Sequence, residues 1–374
     1  MNDLLDLSSV LADPALIAVR VHETYAPLST DSSEPAVVFP PTYAPPKDST
    51  KSGGDARKSP GIYQKDLLSN GRATVLIDSV GSQANRMEAL FLQPENQSLA
   101  PSITVVATGK DASVSINLLE MPHRVADALI RFAGKPLVDE VQEAIHAYRD
   151  GNAAPLARLA PTSLLFGFWD SRASHVKAPR LVESQMRAWD VTPIHRAAQF
   201  TPAARMDSMG IVSGPPTALE AEGFIDAPSV GTPGGVVLND GVVHRDALIN
   251  LVALRALRAH APGAATTDAA TTQALHHYLL ALALLAVQAP MAHLRQGALL
   301  RRLDHTTTLI GSPDRAVVLP APEDLRRAAA SQRPAFGSLY PATTFAFDDP
   351  KANAAITARK PKGQKGAQGN EGAS

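Results

Sequence analysis

The spacing of apolar and polar residues predicts several strands in the first half of the chain. Leu16 to Tyr25 alternates apolar and polar residues after Val19, which is typical of a strand with one solvated face. Ala73 to Asp78 is a short run rich in β-branched residues, and residues 103–118 predict a hairpin around a Gly-containing turn. Thr162 to Trp169 is almost entirely apolar and predicts a buried strand.

One central stretch and the second half of the chain have the character of helices. Pro136 to Tyr148 begins with a proline, which suits a first helical turn. Asp246 to His260 and Thr272 to Leu303 are rich in Ala and Leu, and Pro290 is expected to break or kink the second of these helices. Together with the strands, these segments predict an α+β fold with an Ala-rich helical C-terminal part.

Two long stretches interrupt this pattern with the composition of loops. Residues 26–60 and 170–240 are rich in proline, glycine and polar residues. Because long loops inside a compact domain are usually functional or disordered, we expect both to be excursions from a single elaborated domain over residues 1–350. Residues 351–374 combine Lys and Arg with Gly, Ala and Gln, which predicts a disordered basic tail.

Composition and charge limit the classes of function. Hydrophobic residues make up 45% of the 374 residues, and cysteine is absent, which excludes disulfides, thiolate catalysis and zinc–cysteine sites. Lys plus Arg is 35 and Asp plus Glu is 36, so a nucleic-acid binder needs local positive charge. The N-terminus lacks a signal-peptide pattern, and the apolar run Tyr278 to Val287 is about half of a membrane span. We therefore expect a cytoplasmic protein without membrane contact.

The first candidate for chemistry is Leu76 to Glu88, where a predicted strand ends near Asp78 and polar side chains crowd together. Amide, hydroxyl and guanidinium groups suit hydrogen bonds to phosphates, ribose hydroxyls and base edges. The candidate RNA-binding residues here are Ser82, Gln83, Asn85 and Arg86. The alternative is an ordinary polar helix start, with Ser79 or Ser82 as N-cap and Glu88 on a solvated face.

The second candidate is Gly167 to Arg180, at the start of the second excursion. Residues 172–205 hold six Lys or Arg against two acids, and local positive potential is what holds a phosphate backbone. The candidate RNA-binding residues are Trp169, Ser171, Arg172, His175, Lys177 and Arg180, and the end of the first excursion adds Arg57 and Lys58. The alternatives are core packing for Trp169 and an ordinary solvated surface for the charges.

Common enzyme motifs are missing from the sequence. There is no GxxxxGK[ST], HExxH or GxSxG pattern, and the adjacent His276 and His277 face different sides of any helix. Asp78 and Asp170 remain as candidates for a metal-dependent nuclease, although neither has a second carboxylate close by in the sequence. The sequence therefore predicts a protein that is not an enzyme and that uses neither a metal nor a cofactor.

Two polar segments, in this order along the chain, resemble one protein family. They are LIDSVGSQANRME at residues 76–88 and TSLLFGFWDSRASHVKAPRLVESQMRAWDV at residues 162–191. Both are similar to the backbone subunit of type I-U (I-G) CRISPR effector complexes, which belongs to the RAMP group in the Cas-seven superfamily. The resemblance extends over about Leu16 to Arg205.

This resemblance implies an RRM-like (ferredoxin-like) palm, with residues 26–60 and 170–240 as finger and thumb insertions. It implies a non-catalytic subunit whose copies stack head-to-tail along a guide (CRISPR) RNA and present it for pairing with a target DNA strand, beside other effector subunits. Carried onto this sequence, the signatures assigned to guide-RNA contact fall on Ser82, Gln83, Asn85, Arg86, Trp169, Ser171, Arg172, Lys177 and Arg180.

Two other functions stay open at the level of the sequence. One is a metal-dependent or acid–base ribonuclease of the RAMP type that acts on guide or target RNA. Its chemistry would rest on Asp78 and Asp170, or on His175 as a general acid. The other is a structural protein that binds no nucleic acid.

Overall fold

The computed structural model describes residues 3–28, 35–43, 62–195, 201–224 and 233–358, without the side chains of residues 62, 204 and 220. Arg57 and Lys58, which the sequence predicts to bind RNA, lie outside the described residues. The strands are β1 (Asp3–Leu4), β2 (Ala18–Pro27), β3 (Ala36–Val38), β4 (Thr42–Tyr43), β5 (Ile62–Tyr63), β6 (Lys65–Leu67), β7 (Ala73–Asp78), β8 (Ile103–Thr108), β9 (Ser113–Asn117), β10 (Phe168–Trp169), β11 (Lys177–Ala178), β12 (Val182–Trp189), β13 (Val191–His195), β14 (Pro233–Leu238), β15 (Val243–Asn250), β16 (His293–Arg295), β17 (Ala298–Ile310), β18 (Arg315–Val318) and β19 (Thr343–Ala346). The α-helices are α1 (Leu7–Ala12), α2 (Val80–Glu88), α3 (Ala128–Arg131), α4 (Lys135–Arg149), α5 (Ala154–Leu159), α6 (Pro161–Phe166), α7 (Ala204–Ser208), α8 (Pro216–Ala221), α9 (Leu251–Ala256), α10 (Ala269–Val287), α11 (Pro322–Phe336) and α12 (Asp349–Thr357).

Contacts between residues divide the chain into two compact units. Unit 1 comprises Met1–Met87, Leu181–Val252 and Ala283–Leu325, and unit 2 comprises Glu88–Arg180, Ala253–Leu282 and Arg326–Ser374. Nothing in the residue pattern indicates this division, because each unit is assembled from three separate stretches of the chain.

Unit 1 is built around a nine-stranded sheet. Its four central strands stand in the order β17, β2, β15, β12, and each neighbouring pair is antiparallel. Counted along the chain, these are the fourth, first, third and second strands of a β-α-β-β-α-β arrangement, with α2 in the first crossover and α10 in the second. This is a ferredoxin-like strand order, and the predicted α+β class is confirmed.

Strand β2 shows why the sequence pattern predicts this sheet. Val19 and Val21 are buried, whereas Arg20 is exposed and His22 is half-buried. Successive side chains of a strand point to opposite faces, so one face of β2 lies on the core and the other faces solvent. The predicted strand at Leu16 to Tyr25 is therefore confirmed, with Ala18–Pro27 as its observed bounds.

Unit 2 combines helices with a three-stranded sheet. In this sheet β8 pairs antiparallel with β9 and parallel with β19. The hairpin predicted at residues 103–118 is β8 with β9, and the helix predicted at Pro136 to Tyr148 is α4. Leu137, Val141 and Ile145 recur at helical spacing on α4 and are buried, because they share one face of the helix.

The strand predicted at Thr162 to Trp169 is wrong for most of its length. Residues 161–166 form helix α6, with Pro161 in its first turn, and only Phe168 and Trp169 are in a strand. The physical reason is that α6 is buried on all sides, so its apolar run carries no helical period that distinguishes it from a buried strand.

Two of the predicted C-terminal helices are also corrected. The segment at Asp246 to His260 begins as the end of strand β15 and becomes helical only at Leu251. The segment at Thr272 to Leu303 is helical only to Val287, and the chain then forms β16 and β17. Proline at position 290 stops the helix because it lacks the N–H that the next turn requires.

The predicted excursion and tail both contain regular structure. Strand β12, inside the stretch 170–240, is a central strand of the large sheet, so only the segments on either side of it leave that sheet. Helix α12 covers the start of the tail predicted to be disordered, and Asp348 caps it by accepting a hydrogen bond from the N–H of Lys351 at 3.0 Å. Residues 359–374 lie outside the described residues.

Helix α10 is the one helix of the described residues that is long and apolar enough to cross a membrane, judged by length and composition. Most of it is buried within the structure, which is what the core helix of a globular protein also shows. In unit 2, for example, Tyr278 is fully buried and donates a hydrogen bond to the carbonyl of Leu99 at 2.7 Å.

Candidate nucleic-acid interface

A short hairpin in unit 2, residues 168–178, carries most of the second predicted segment and is called the Trp169 hairpin below. Strands β10 and β11 pair antiparallel, and Trp169 lies directly opposite Lys177. Phe168 is buried, with its ring edge-on to Tyr148 and the ring centroids 6.0 Å apart. Because neighbouring residues of a strand face opposite sides, the burial of Phe168 turns Trp169 and Lys177 outward.

Trp169 is 63% exposed, so the alternative of core packing is wrong. A tryptophan side chain has a large apolar ring system, and its exposure to water is unfavourable. Fixed on a strand and open to solvent, such a ring has the chemistry of a surface for base stacking.

Asp170 holds the loop of the Trp169 hairpin in one conformation. Its carboxylate accepts hydrogen bonds from the backbone N–H groups of Ala173 (3.1 Å) and Ser174 (2.9 Å), from the Ser174 hydroxyl (2.7 Å) and from the Gln142 amide (3.3 Å). Burial by itself raises the pKa of Asp170, but these hydrogen bonds outweigh it, and the pKa lies below its ordinary value. The carboxylate is therefore charged at neutral pH and the loop keeps its shape.

The basic residues of this segment lie on the outside of that frame. Arg172, His175, Lys177 and Arg180 are exposed, and Ser171 is half-buried. His175 has a φ of 59°, a conformation that few residues other than glycine adopt. With three permanent cations against one carboxylate, the Trp169 hairpin and Arg180 are locally positive in a chain whose net charge is −1.

Gly167 connects helix α6 to the Trp169 hairpin. Its φ is 73°, and a Cβ at this position would lie 2.9 Å from the carbonyl oxygen of Ala178 and 3.1 Å from Arg180. Both the backbone conformation and the close approach of β11 therefore require glycine here.

The first predicted segment is helix α2, and its polar side chains divide between two sides. Asn85 is exposed and Ser82 is half-buried, and residues three apart lie on the same side of a helix. Gln83 is fully buried, and Arg86 is half-buried. The hydroxyl of Ser79 accepts a hydrogen bond from the N–H of Ser82 at 3.2 Å, as predicted for an N-cap.

Gln83 is the centre of a buried polar network in unit 1. Its amide nitrogen donates to Asp78 at 2.6 Å, and its oxygen accepts from the Ser184 hydroxyl at 2.9 Å and from Nε of Arg245 at 3.0 Å. All three of these partners lie inside the fold. The RNA contact predicted for Gln83 therefore gains no support from its position.

Arg245 and Glu23 form a buried ion pair next to this network. Arg245 donates to Glu23 at 2.6 Å and to the carbonyl of Val287 at 2.9 Å. Glu23 also accepts from Arg302 at 2.8 Å and from the Tyr25 hydroxyl at 2.9 Å. Burial by itself raises the pKa of Glu23, but the attraction of Arg245 and the hydrogen bonds to the carboxylate lower it below its ordinary value.

Arg295 is a candidate that sequence reasoning missed. It ends strand β16, 217 residues after Asp78, and its Nη2 donates to one oxygen of that carboxylate at 3.2 Å. Nε of Arg86 donates to the other oxygen at 3.0 Å. No local signal singles out Arg295, because only the fold brings it to the end of β7.

Glu88 corrects the alternative interpretation of the first segment. It was expected on a solvated face of the helix, but in unit 2 it is buried and pairs with Nε of Arg124 at 3.0 Å. Burial raises the pKa of Glu88 above its ordinary value, although Arg124 opposes this shift. The prediction of a solvated Glu88 is wrong, because its partner is 36 residues away and leaves no local pattern.

The two carboxylates considered for metal chemistry are both occupied by hydrogen-bond donors. Asp78 is 1% exposed and accepts from Gln83, Arg86 and Arg295, and Asp170 accepts from its own loop and from Gln142. Within the part of the chain that the structure describes, no group of three or more His, Asp or Glu is arranged to hold a metal ion.

The residues predicted to bind RNA thus fall into two groups, apart from two that the structure does not describe. Unit 2 gathers Trp169, Ser171, Arg172, His175, Lys177 and Arg180 on the Trp169 hairpin and its end. Unit 1 holds Ser82, Asn85 and Arg86 on α2, with Gln83 turned inward. Arg57 and Lys58 lie outside the described residues.

Residues 19–193 match the family model described as CRISPR-associated protein GSU0053 (Cas_GSU0053). This match supports the interpretation that the chain is a CRISPR-associated protein. It covers just under half of the chain, from the start of β2 into β13, and includes both α2 and the Trp169 hairpin. A search of curated proteins finds no match. The family match suggests a role in CRISPR defence and work together with other CRISPR components.

Proposed function

We propose that this chain is the non-catalytic backbone subunit of a type I-U (I-G) CRISPR effector complex in the cytoplasm. Its copies polymerise head-to-tail along the guide RNA and present that RNA for pairing with a target DNA strand. Other effector subunits complete the particle. The proposal rests on the similarity to a CRISPR-associated family over residues 19–193 and on the chemistry of the Trp169 hairpin.

The exposed side chains of the Trp169 hairpin are the observation that most directly supports RNA binding. An exposed aromatic ring beside cations is the usual equipment of a surface for single strands, where stacking contributes about 1–3 kcal/mol per base. Lys177 stands opposite Trp169, so a base on the ring and its phosphate on the ammonium group fall on the same side of the hairpin. The loop that carries Arg172 is already fixed by Asp170, so its backbone needs no further ordering on binding.

The charge distribution suits a subunit that binds a strand without reading its sequence. A chain with a net charge of −1 has no general attraction for nucleic acid, so binding depends on local cations. In guided complexes base pairing supplies the sequence specificity, and the protein holds the backbone. A head-to-tail interface that does not close into a ring produces an open helix, which is the geometry that a repeating subunit on one RNA needs.

We assign no catalytic role to the candidate acids. Asp78 is buried under two guanidinium groups and an amide, and Asp170 is the acceptor that shapes its own loop. A carboxylate in either position that left its donors to bind a metal would break the structure around it. The metal-dependent form of the ribonuclease hypothesis therefore has no carboxylate that the geometry favours, and the acid–base form would rest on the exposed His175.

Co-expression with a CRISPR array tests this proposal. Protein purified without nuclease treatment is expected to carry RNA, with a raised 260/280 nm absorbance ratio, and to elute as a large particle. RNase treatment is expected to convert this particle into smaller species. The double variant R172Q/K177Q is expected to elute with little RNA and as smaller species. The matched control is Lys110→Gln, since Lys110 is an exposed lysine in the turn of the other hairpin of unit 2.

The contrary results are equally distinct. RNA-free protein that stays small during co-expression contradicts the proposal as a whole. Cleavage of labelled RNA by the wild-type protein that is lost in Asp78→Asn or His175→Ala favours the ribonuclease instead.

A further inference from the structure

We infer that Arg86 and Arg295 form a phosphate-binding pair in unit 1, and that the phosphate belongs to the backbone of a single RNA strand. This inference rests on the proposed function and adds a residue, Arg295, that lies outside the sequence similar to the CRISPR-associated family. The site that it describes is the pair of guanidinium groups above the carboxylate of Asp78.

The first argument is the balance of charge. Nε of Arg86 lies 3.0 Å from one oxygen of Asp78, and Nη2 of Arg295 lies 3.2 Å from the other. One carboxylate therefore faces two guanidinium groups, which leaves one positive charge at this site. Glu23 also faces two guanidinium groups, those of Arg245 at 2.6 Å and Arg302 at 2.8 Å, but only that of Arg302 is exposed.

The second argument is exposure. The side chains of Arg86 and Arg295 are 30% and 25% exposed, whereas that of Arg245 is 1% exposed. An anion from solvent reaches the first two but not the third. The uncompensated charge thus sits at the surface of unit 1, where a phosphate neutralises it without being buried completely.

The third argument is that both guanidinium groups are held in place before any ligand arrives. Arg86 donates to the carbonyl of Leu294 at 2.7 Å, and Arg295 donates to the carbonyls of Ile77 at 2.8 Å and Phe39 at 3.3 Å. Side chains fixed in this way lose little conformational entropy on binding. The planar fork of a guanidinium group matches phosphate oxygens better than an ammonium group does.

The mutual effect of the two cations agrees with this interpretation. Burial lowers the pKa of Arg295, Asp78 opposes that shift, and the positive charge of Arg86 lowers the pKa further. The last contribution is a repulsion between the two guanidinium groups. The attraction of a bound phosphate to both groups offsets this repulsion.

Arginine footprinting on the wild-type protein tests the pair without a substitution. A dicarbonyl reagent that modifies guanidinium groups is applied with and without a single-stranded RNA oligonucleotide, and the modified positions are read by mass spectrometry. Protection of Arg86 and Arg295 by RNA is expected, while Arg315 on β18, which pairs with Asp13 at 3.6 Å, keeps its reactivity. Inorganic phosphate at the same phosphate concentration is expected to protect neither arginine.

Salt titration of RNA affinity gives the second readout. A variant that loses one phosphate contact to a single strand is expected to have a slope of log K against log salt that is smaller by about 0.7. We expect this change for Arg295→Gln and no change for the control Arg315→Gln. Thermal unfolding of both variants shows whether either one has lost its fold. If one has, the arginine footprint of the wild-type protein is the deciding measurement.

The outcomes separate this inference from the proposed function. RNA binding by the wild type with unprotected Arg295, or an unchanged slope in a folded Arg295→Gln variant, overturns the inference and leaves the function standing. Equal protection by inorganic phosphate overturns the assignment to RNA. A wild-type protein that binds no RNA overturns both.

Discussion

Trp169 and Lys177 are cross-strand partners at the base of one hairpin, and both side chains are exposed. The aromatic ring and the ammonium group therefore stand side by side, supported from below by the buried Phe168. The predictions that follow depend on this pair, on the loop that Asp170 fixes, and on the buried cluster in unit 1.

Replacing Trp169 by alanine is expected to weaken binding of single-stranded RNA by about 1–3 kcal/mol, because one stacking surface is lost. The free energy of unfolding is expected to change by about 0.5 kcal/mol or less, since the side chain is largely exposed. Fluorescence anisotropy with a labelled oligonucleotide and a denaturant titration measure the two quantities. An unchanged affinity would contradict the stacking role.

Removing the charge of Lys177 with glutamine is expected to reduce the salt dependence of RNA binding. Each phosphate contact to a single strand contributes about 0.7 to the slope of log K against log salt. The slope of Lys177→Gln is thus expected to be smaller by that amount, whereas Lys110→Gln keeps the wild-type slope. The same slope in both variants would show that Lys177 touches no phosphate.

Asp170→Asn is expected to loosen the loop of the Trp169 hairpin. The carboxylate accepts from Ala173, Ser174 and Gln142, and a hydrogen bond to a charged group contributes about 1.5–3 kcal/mol. Faster hydrogen exchange at the amides of Ala173 and Ser174 is expected, together with weaker RNA binding. Asp139→Asn is the control, because Asp139 is an exposed acid of the same unit. Unaltered exchange at these amides would mean that Asp170 does not fix the loop.

The stability of unit 1 is expected to fall in acid because of Glu23. The folded pKa of this group is depressed below its ordinary value of 4.5, so its contribution is present above the unfolded pKa and is lost as the pH falls through the folded pKa. Thermal unfolding between pH 7 and pH 3 measures this loss.

Glu23→Gln is the matching substitution. It leaves Arg245 buried without a counter-charge, which costs about 3–5 kcal/mol at neutral pH, and it is expected to flatten the acid dependence. The control Asp246→Asn breaks a half-buried pair with His22 on the solvated face and is expected to cost about 1 kcal/mol or less. A wild-type acid profile in Glu23→Gln would contradict the account of the buried pair.

The elements that the sequence predicts well are those with one buried and one solvent-exposed face. From Val19 onward, strand β2 alternates buried and more exposed side chains, and α4 has its apolar residues at helical spacing, so each reveals its own period. The predictions of a strand at helix α6 and of a helix at the end of strand β15 are wrong for different reasons. Helix α6 is buried on every side and shows no period, and strand β15 continues directly into helix α9, so its last residues resemble the helix that follows.

The candidate site divides in the same way. The residues of the Trp169 hairpin are close in sequence, so a sequence pattern is enough to predict that they lie together, whereas the exposure of Trp169 is clear only from the pairing of β10 with β11. Gln83 and Arg86 look like surface polar residues, yet Gln83 turns inward because Arg245 on β15 needs an acceptor. Arg295 comes to the same place only through the order of strands in the sheet, which no local pattern contains.

Tryptophan fluorescence tests the central claim most directly, because the chain has two tryptophans and Trp189→Phe leaves Trp169 as the single reporter. Titration of this variant with a single-stranded RNA oligonucleotide is expected to quench the emission of Trp169, with a midpoint that moves to higher RNA concentration as salt is raised. RNA binding, seen by anisotropy, with an unchanged Trp169 emission spectrum would contradict the account.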